Sequence, residues 1–421
     1  MKRSMDDALA AYDFLAPPLV RFGAGRIDSI GETVRLLGRR AWIVGGGRSL
    51  TASGAHERLE ASLSASGIES TTVATSRGEP TVDQLVAALA GIVGRDQEEV
   101  VVVAVGGGAT IDLGKALAAL ATTMPTDLLS QPRPEALLDT LVVDHLEGVG
   151  RGLTINRWPL PLIAVPTTAG TGAEATRNAV ISCPRRRFKK SMRSPMMVPR
   201  AAIIDPDLTA SCDRATVAAS GLDCITQLIE AFVCRFAQPL PRCLVLESLP
   251  RALHALPRLL HNEPAGDAVA HRPDGLAADR AAMSHAALLS GMALTNSGLG
   301  LAHGVAAALG ISCGTPHGLA CAVMLPVALR VNREASRDDF ALLEQAVDPD
   351  APRDAAAAAD AFVERIERLC QTAGMPAKLS ALGVTASQLD WLAENSGGAS
   401  MRGNPVQLDA GELRSALLAI L

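Results

Sequence analysis

Residues 100–105 read V-V-V-V-A-V, an unbroken apolar run that ends directly in Gly106, Gly107 and Gly108. A strand that is apolar at every position has no face to offer water. It must be covered on both sides, which is the condition of a central strand in a parallel sheet. Parallel neighbours need long crossovers, usually helices. The surrounding chain supplies them. Helices are expected over 30–37, 56–66 and 81–93, the last with Leu85, Leu89 and Val93 on one face, and strands over 41–44, 70–74, 162–165 and 201–204. This alternation predicts a doubly wound α/β domain over residues 1–208. Beyond it strand signals vanish. Helical patterns over 216–237, 242–260, 276–294, 301–309, 319–331, 355–373 and 409–421 predict an all-α domain over 209–421. Residues 125–160, interrupted by Pro125, Pro132, Pro134, Pro159 and Pro161, read as an unpatterned excursion, a lid or subunit contact.

Composition excludes several partners. Aromatics are 3% of the chain and the net charge is -5, which argues against nucleic acid. The basic cluster of Arg185, Arg186, Arg187, Lys189 and Lys190 contains one aromatic, Phe188, and reads as a solvated loop. There is no run of 18 apolar residues, so no membrane span is expected, and residues 1–11 lack an apolar signal core. Eight cysteines without a C-x-x-C pair fit reduced thiols in a cytoplasm.

Two loops follow predicted strands. Glycines 106–108 let backbone N–H groups approach a phosphate, and the helix behind them offers its positive N-terminus; a tight turn is the plainer alternative. The segment departs from G-x-G-x-x-G at Ile111, and from a P-loop at Ala109 and Ala116. After the 162–165 strand come Thr167, Thr168, Gly170, Thr171 and Gly172, suited to a ligand-facing loop at the carboxyl end of a sheet, or simply to a turn and helix cap.

In the helical half, Asp223 and Gln227 are four apart among Leu222, Ile225, Leu228 and Ile229, so they share an inward helix face. An inward carboxylate is costly unless paired or bound to a metal. His303 lies in an apolar helix and His317 follows Pro316 after a glycine-rich break. One carboxylate, one amide oxygen and two imidazoles make a shell for Zn2+ or Fe2+. A satisfied core histidine and a helix-capping aspartate are the bland alternatives.

The segments F-G-A-G-R (22–26), G-G-G-A-T-I-D-L-G-K (106–115), P-T-T-A-G-T-G-A-E (166–174), G-L-D-C-I-T-Q-L-I-E (221–230), G-L-G-L-A-H-G (298–304) and T-P-H-G (315–318) stand in one order. Together they resemble the iron-containing (group III) alcohol dehydrogenase family, within the dehydroquinate synthase-like superfold, over about residues 14 to 332 and more weakly beyond. The resemblance implies hydride transfer between NAD(P)H and a small alcohol, aldehyde or ketone, beside Fe2+ or Zn2+, in a homodimer. It places metal ligands at Asp223, His303 and His317, with Gln227 where the family usually has His. It places cofactor contacts at Gly106, Gly107, Gly108, Thr110, Asp112, Lys115, Thr167, Thr168 and Thr171, and sends Lys190 toward the nicotinamide side of the cleft. Gly46 stands where the family often has an Asp against the adenosine ribose, with Arg48 nearby; tolerance of NADPH follows from a missing repulsive carboxylate and an added cation.

The departures have consequences. Gln227 cannot carry a proton at neutral pH, and Ala307 occupies the family's proton-relay position, for which His285 is the distant substitute. A metal-independent reductase of the maleylacetate type, a dehydroquinate-synthase-like cyclase and a non-catalytic nucleotide-binding protein remain open alternatives. The substrate pocket is expected from residues 125–160, the helix around Gln227 and the 303–317 segment, with Arg151, Arg157 and Arg177 as possible carboxylate partners.

Overall fold

The computed structural model describes residues 11–46, 54–76, 78–125, 128, 134–262 and 274–421. Its sheet is built from β1 (Val20–Phe22), β2 (Arg40–Gly46), β3 (Glu69–Ser76), β4 (Val100–Gly106), β5 (Leu162–Pro166) and β8 (Ala201–Ile204). A separate hairpin joins β6 (Asn178–Cys183) to β7 (Phe188–Arg193). The main sheet is parallel throughout, in the order β1-β8-β5-β4-β2-β3.

The apolar run of β4 is explained by its two faces. Val100, Val102 and Ala104 pack into one core with α3 (Val82–Ile92) and α4 (Gly108–Ala121). Val101, Val103 and Val105 pack into the other with α1 (Ile30–Arg35) and α2 (Ala55–Ala65). The direction of winding reverses between β2 and β4, so Gly46 and Gly106 end neighbouring strands at the switch point, where open α/β sheets bind ligands.

The 125–160 excursion needs correction. Residues 134–144 form a helix, α5 (Pro134–Asp144), and Leu138, Val142 and Leu146 recur every fourth position in the buried core beside α3. That spacing makes it a packed layer and not a lid. The proline at its first turn costs nothing there, because that N–H has no intrahelical partner.

After β8 a 3-10 segment (Pro206–Ser211) leads to α6 (Arg214–Val233). It is followed by α7 (Pro239–Asn262), α8 (Ala277–Ser297), α9 (Leu301–Cys313), α10 (His317–Asn332), α11 (Arg337–Val347) and α12 (Ala355–Thr372), then by α13 (Leu389–Asn395), α14 (Ala399–Gly403) and α15 (Ala410–Leu418). α11 has no counterpart in the sequence pattern; Phe340 seats it by stacking on Phe362 of α12 at 5.7 Å. α6 has the length and hydropathy of a membrane span, but 78% of that window is buried inside the protein, as befits the axis of the helical core.

The two halves are welded at the threonine loop. A Cβ on Gly170 would lie 2.6 Å from the Ser220 Cβ of α6, and the backbone of Gly172, at φ +59°, touches Gly291 of α8. Only glycine allows such contact, and the loop is thereby held against α6, which carries Asp223 and Gln227, and against α8.

Candidate functional site

The first half of the site is made of backbone. Gly107 caps α4 without a side-chain bond, so the first N–H groups of a 14-residue helix open toward the switch point. The threonine loop runs beside them. Thr167 N donates to Gly106 O at 3.0 Å, and a Cβ on Gly107 would lie 3.4 Å from Thr168 Oγ1. Gly108 lies against Thr171, where a Cβ would come within 2.9 Å of the threonine Cβ. Thr110 is buried beneath Gly106, and Thr167 Oγ1 is a buried hydroxyl without a partner. Gly46 sits at the end of β2 next to this pair; Arg48 lies outside the described residues.

Asp112 and Lys115 are used differently from the expectation. Lys115 is buried, and its ammonium donates to Ala173 O at 3.0 Å, to Thr176 Oγ1 at 2.7 Å and to Asn178 O, while Asp112 Oδ1 lies 2.9 Å away. Asp112 Oδ2 accepts from Val180 N at 2.9 Å. With its donors directed to these groups, Lys115 clamps the threonine loop and the β6 edge to α4 instead of reaching a cofactor.

The second half is side chains. Asp223 on α6, His303 on α9, and His317 and Cys321 on α10 each offer a donor atom, all within 4.8 Å of one another. Asp223 Oδ1 is 3.2 Å from His303 Nε2 and 4.0 Å from His317 Nε2. Glu230, two turns beyond Asp223, orients the first imidazole: Oε2 takes His303 Nδ1 at 2.7 Å, and Oε1 accepts the Ala302 N–H at the start of α9 at 2.6 Å. That arrangement points His303 Nε2 at Asp223. α9 stops at Gly314, in the left-handed region at φ +66°, and α10 restarts at His317 after Pro316. Gly318 lets that start pack on α6, since a Cβ there would lie 2.6 Å from Ala219 O.

The electrostatics are those of a buried, cation-seeking pocket. Burial acts to raise the Asp223 carboxyl, but the nearby imidazoles, His317 first and then His303, hold it at about 2. Burial, reinforced by the Lys189 charge, pushes His317 down to about 4, so it is a neutral ligand-competent imidazole at pH 7. Burial pushes the Cys321 thiol up to about 12. Asp223 Oδ1, His303 Nε2 and His317 Nδ1 are buried polar atoms without hydrogen-bond partners. The first two converge with His317 Nε2 beside a second buried carboxylate, Glu230, and this set fits a divalent cation.

Gln227 shares the Asp223 face as expected but is not offered to the cluster. Its Oε1 accepts from Ser290 Oγ at 2.8 Å, and its Nε2 donates to Asp223 Oδ2 at 3.2 Å. A carboxylate only accepts, so the amide must turn its NH2 that way and its oxygen away. In this arrangement the amide oxygen is turned away from the ligand position expected of it. Lys190 lies on β7. Side chains alternate along β7, and it is Lys189 whose Nζ meets Glu79 at 2.5 Å, close enough to bias His317. Ala307 is on α9. His285 bonds Glu247 at 2.9 Å, away from the cluster. Arg151 is held by Asp144 at 2.7 Å and Arg157 by Thr122 O at 3.2 Å, while Arg177 is half-buried. The basic hairpin turn is neutralised, not merely solvated: Arg185 pairs with Asp83 and Asp139, and Arg186 with Asp139.

Cys321, Glu230 and Lys189 were not singled out from sequence. Cys321 had a signal, one helical turn after His317; Glu230 had a weaker one, seven after Asp223 on the same stripe.

The chain resembles known proteins over most of its length. Residues 17–206 match the family model "Iron-containing alcohol dehydrogenase", and residues 217–421 match "Fe-containing alcohol dehydrogenase family, C-terminal". The chain is 30% identical over 387 residues to the 1,3-propanediol dehydrogenase of Klebsiella pneumoniae, covering 91% of this chain and 92% of that one. It is 30% identical over 374 residues to the probable alcohol dehydrogenase EutG of Escherichia coli K12, covering 89% and 85%. Among solved structures, a 1,3-propanediol oxidoreductase superposes with a TM-score of 0.82 at 27% identity, covering 98% of this chain and 100% of that one. The sulfoacetaldehyde reductase of Bifidobacterium kashiwanohense, in complex with NAD+, superposes with a TM-score of 0.80 at 26% identity, covering 98% and 99%.

Proposed function

Since this chain belongs to the iron-containing alcohol dehydrogenase family, whose members are NAD-linked, metal-dependent oxidoreductases acting on CH–OH groups, we propose that it interconverts a small alcohol and its aldehyde or ketone in the cleft between the glycine loop and the Asp223 cluster. The observation that carries this is the convergence of Asp223 Oδ1, His303 Nε2 and His317 Nε2, the first two buried without hydrogen-bond partners, in a chain whose sheet ends in two bare loops at its switch point.

Asp223, His303 and His317 hold the cation, with Glu230 keeping His303 in the tautomer that presents Nε2. When bound, the cation supplies Lewis-acid polarisation of a carbonyl or alcohol oxygen. The N–H groups at the start of α4 take the cofactor pyrophosphate, and Thr167, Thr168 and Thr171 line its path. Lys189, held by Glu79, borders His317 on the side of the site first expected of Lys190. The nicotinamide does the redox chemistry and the chain supplies position and field. With Ala307 one turn after His303, the substrate proton leaves through water or the cofactor ribose. The local engagement of Arg151 and Arg157 favours an uncharged substrate. Gly46 carries no carboxylate to repel a 2′-phosphate, so NADPH is accepted along with NADH. A homodimer completes the proposal, and eight free cysteines support a cytoplasmic setting.

The test is oxidation of NADH and of NADPH with a panel of small aldehydes and ketones, before and after chelation. Activity should fall on chelation and return with Fe2+ or Zn2+. Full turnover in demetallated protein would refute the cluster's role, and an NADH preference above about tenfold would refute the cofactor assignment.

A further inference from the structure

Two observations about the cation cluster point the same way. The first is the diversion of Gln227. Its oxygen is engaged by Ser290 at 2.8 Å and its nitrogen by Asp223 at 3.2 Å, so it orients the carboxylate from behind. The second is Cys321. It stands one turn after His317 on α10, is fully buried, and its Sγ lies 3.7 Å from His317 Nε2. Tetrahedral zinc with bonds of about 2.0–2.3 Å spaces its donors roughly 3.3–3.8 Å apart. The separations of 3.2 Å for Asp223–His303, 4.0 Å for Asp223–His317 and 3.7 Å for His317–Cys321 bracket that spacing.

Resting on the metal-dependent function proposed above, we infer that the fourth protein ligand is the thiolate of Cys321, with Gln227 outside the coordination shell, and that the site selects zinc over iron. The donor set becomes one carboxylate, two imidazoles and one thiolate. Thiolate is a soft ligand that favours Zn2+, whereas a set ending in an amide oxygen would have stayed hard. On binding, the sulfur–metal bond forms and the thiol proton leaves to solvent, so one proton is released at this position. With four protein donors, a substrate oxygen reaches the zinc by expansion to five-coordinate, as in some catalytic zinc sites.

The experiment uses the full chain, stripped of metal and reloaded with one equivalent of Co2+. Wild-type protein is expected to show a thiolate-to-cobalt charge-transfer band in the near ultraviolet. Cys321→Ser should bind cobalt without that band and lower the Zn2+ to Fe2+ affinity ratio by at least about tenfold. Gln227→Ala should keep the band, with affinity reduced by about tenfold as for a residue that orients a ligand. Zinc-edge X-ray absorption of the wild type needs no variant, and should find one sulfur at about 2.3 Å. Bound metal with no sulfur in its shell, or a band that persists in Cys321→Ser, would overturn the inference and leave the proposed function standing. Failure to bind any metal stoichiometrically would overturn both.

Discussion

Glu174 follows the threonine loop in a 3-10 turn (Ala173–Ala175) and is 2% exposed. Burial pushes its carboxyl from 4.5 up to about 7, against the smaller opposing effects of its own backbone N–H and Lys115. The folded state therefore binds this proton more tightly than the unfolded chain. The associated stability is fully present below pH 4.5 and is lost as pH rises through about 7. At 1.36 kcal/mol per unit, the whole difference is about 3 kcal/mol, and about 2.5 of it falls between pH 5 and pH 8.5. Glu174→Gln keeps the shape and removes the titration. Its stability relative to wild type should rise by about 2.5 kcal/mol across that range. Urea unfolding of both proteins at several pH values, with the midpoint compared at equal slope, measures it. Every other titrating group is common to the two proteins and cancels. A stability difference that stays constant from pH 5 to pH 8.5 would mean that Glu174 ionises as freely in the fold as outside it, and the reasoning would fail.

Lys115→Met should cost about 3 kcal/mol or more in urea unfolding, because it strands Asp112 and three buried acceptors; a loss under about 1 kcal/mol would return Lys115 to a cofactor role. Gly108→Ala places a methyl against Thr171, and the KM for NADH should rise about tenfold or more while metal content holds; unchanged KM would remove the glycine loop from the cofactor path. Glu230→Gln keeps a bond to His303 but loses the charge, so metal affinity measured by competition with a chelator should fall about 10- to 100-fold. No change there would reduce Glu230 to a helix cap.

Much of the fold was legible because its signals are local. An apolar run such as 100–105 admits only a covered strand, and 3.6-residue periodicity marks α3, α6 and α12 without knowledge of their neighbours. α5 and α11 were not found although each is as long as α3: Pro132 and Pro134 interrupt the pattern where α5 begins, and α11 is seated by one aromatic, Phe340, whose partner Phe362 lies on α12. The loops at Gly106–Gly108 and Thr167–Thr171 were found by composition, since only certain residues let backbone come close to a ligand.

Roles within the site divide along the same line. The helix period determined that Asp223 and Gln227 share a face and that His317 and Cys321 share another, and the strand period determined that Lys189 and Lys190 point apart. Which member of each pair faces the cleft was decided by tertiary structure. Ser290 arrives from α8 to take the Gln227 oxygen, Glu79 arrives from the end of β3 to take Lys189, and α10 packs on α6 closely enough to turn Cys321 inward. The physical reason is that a polar side chain is committed by whichever partner satisfies it under burial. Those partners lie 63 residues away for Gln227 and 110 for Lys189, a distance that periodicity in the chain does not span.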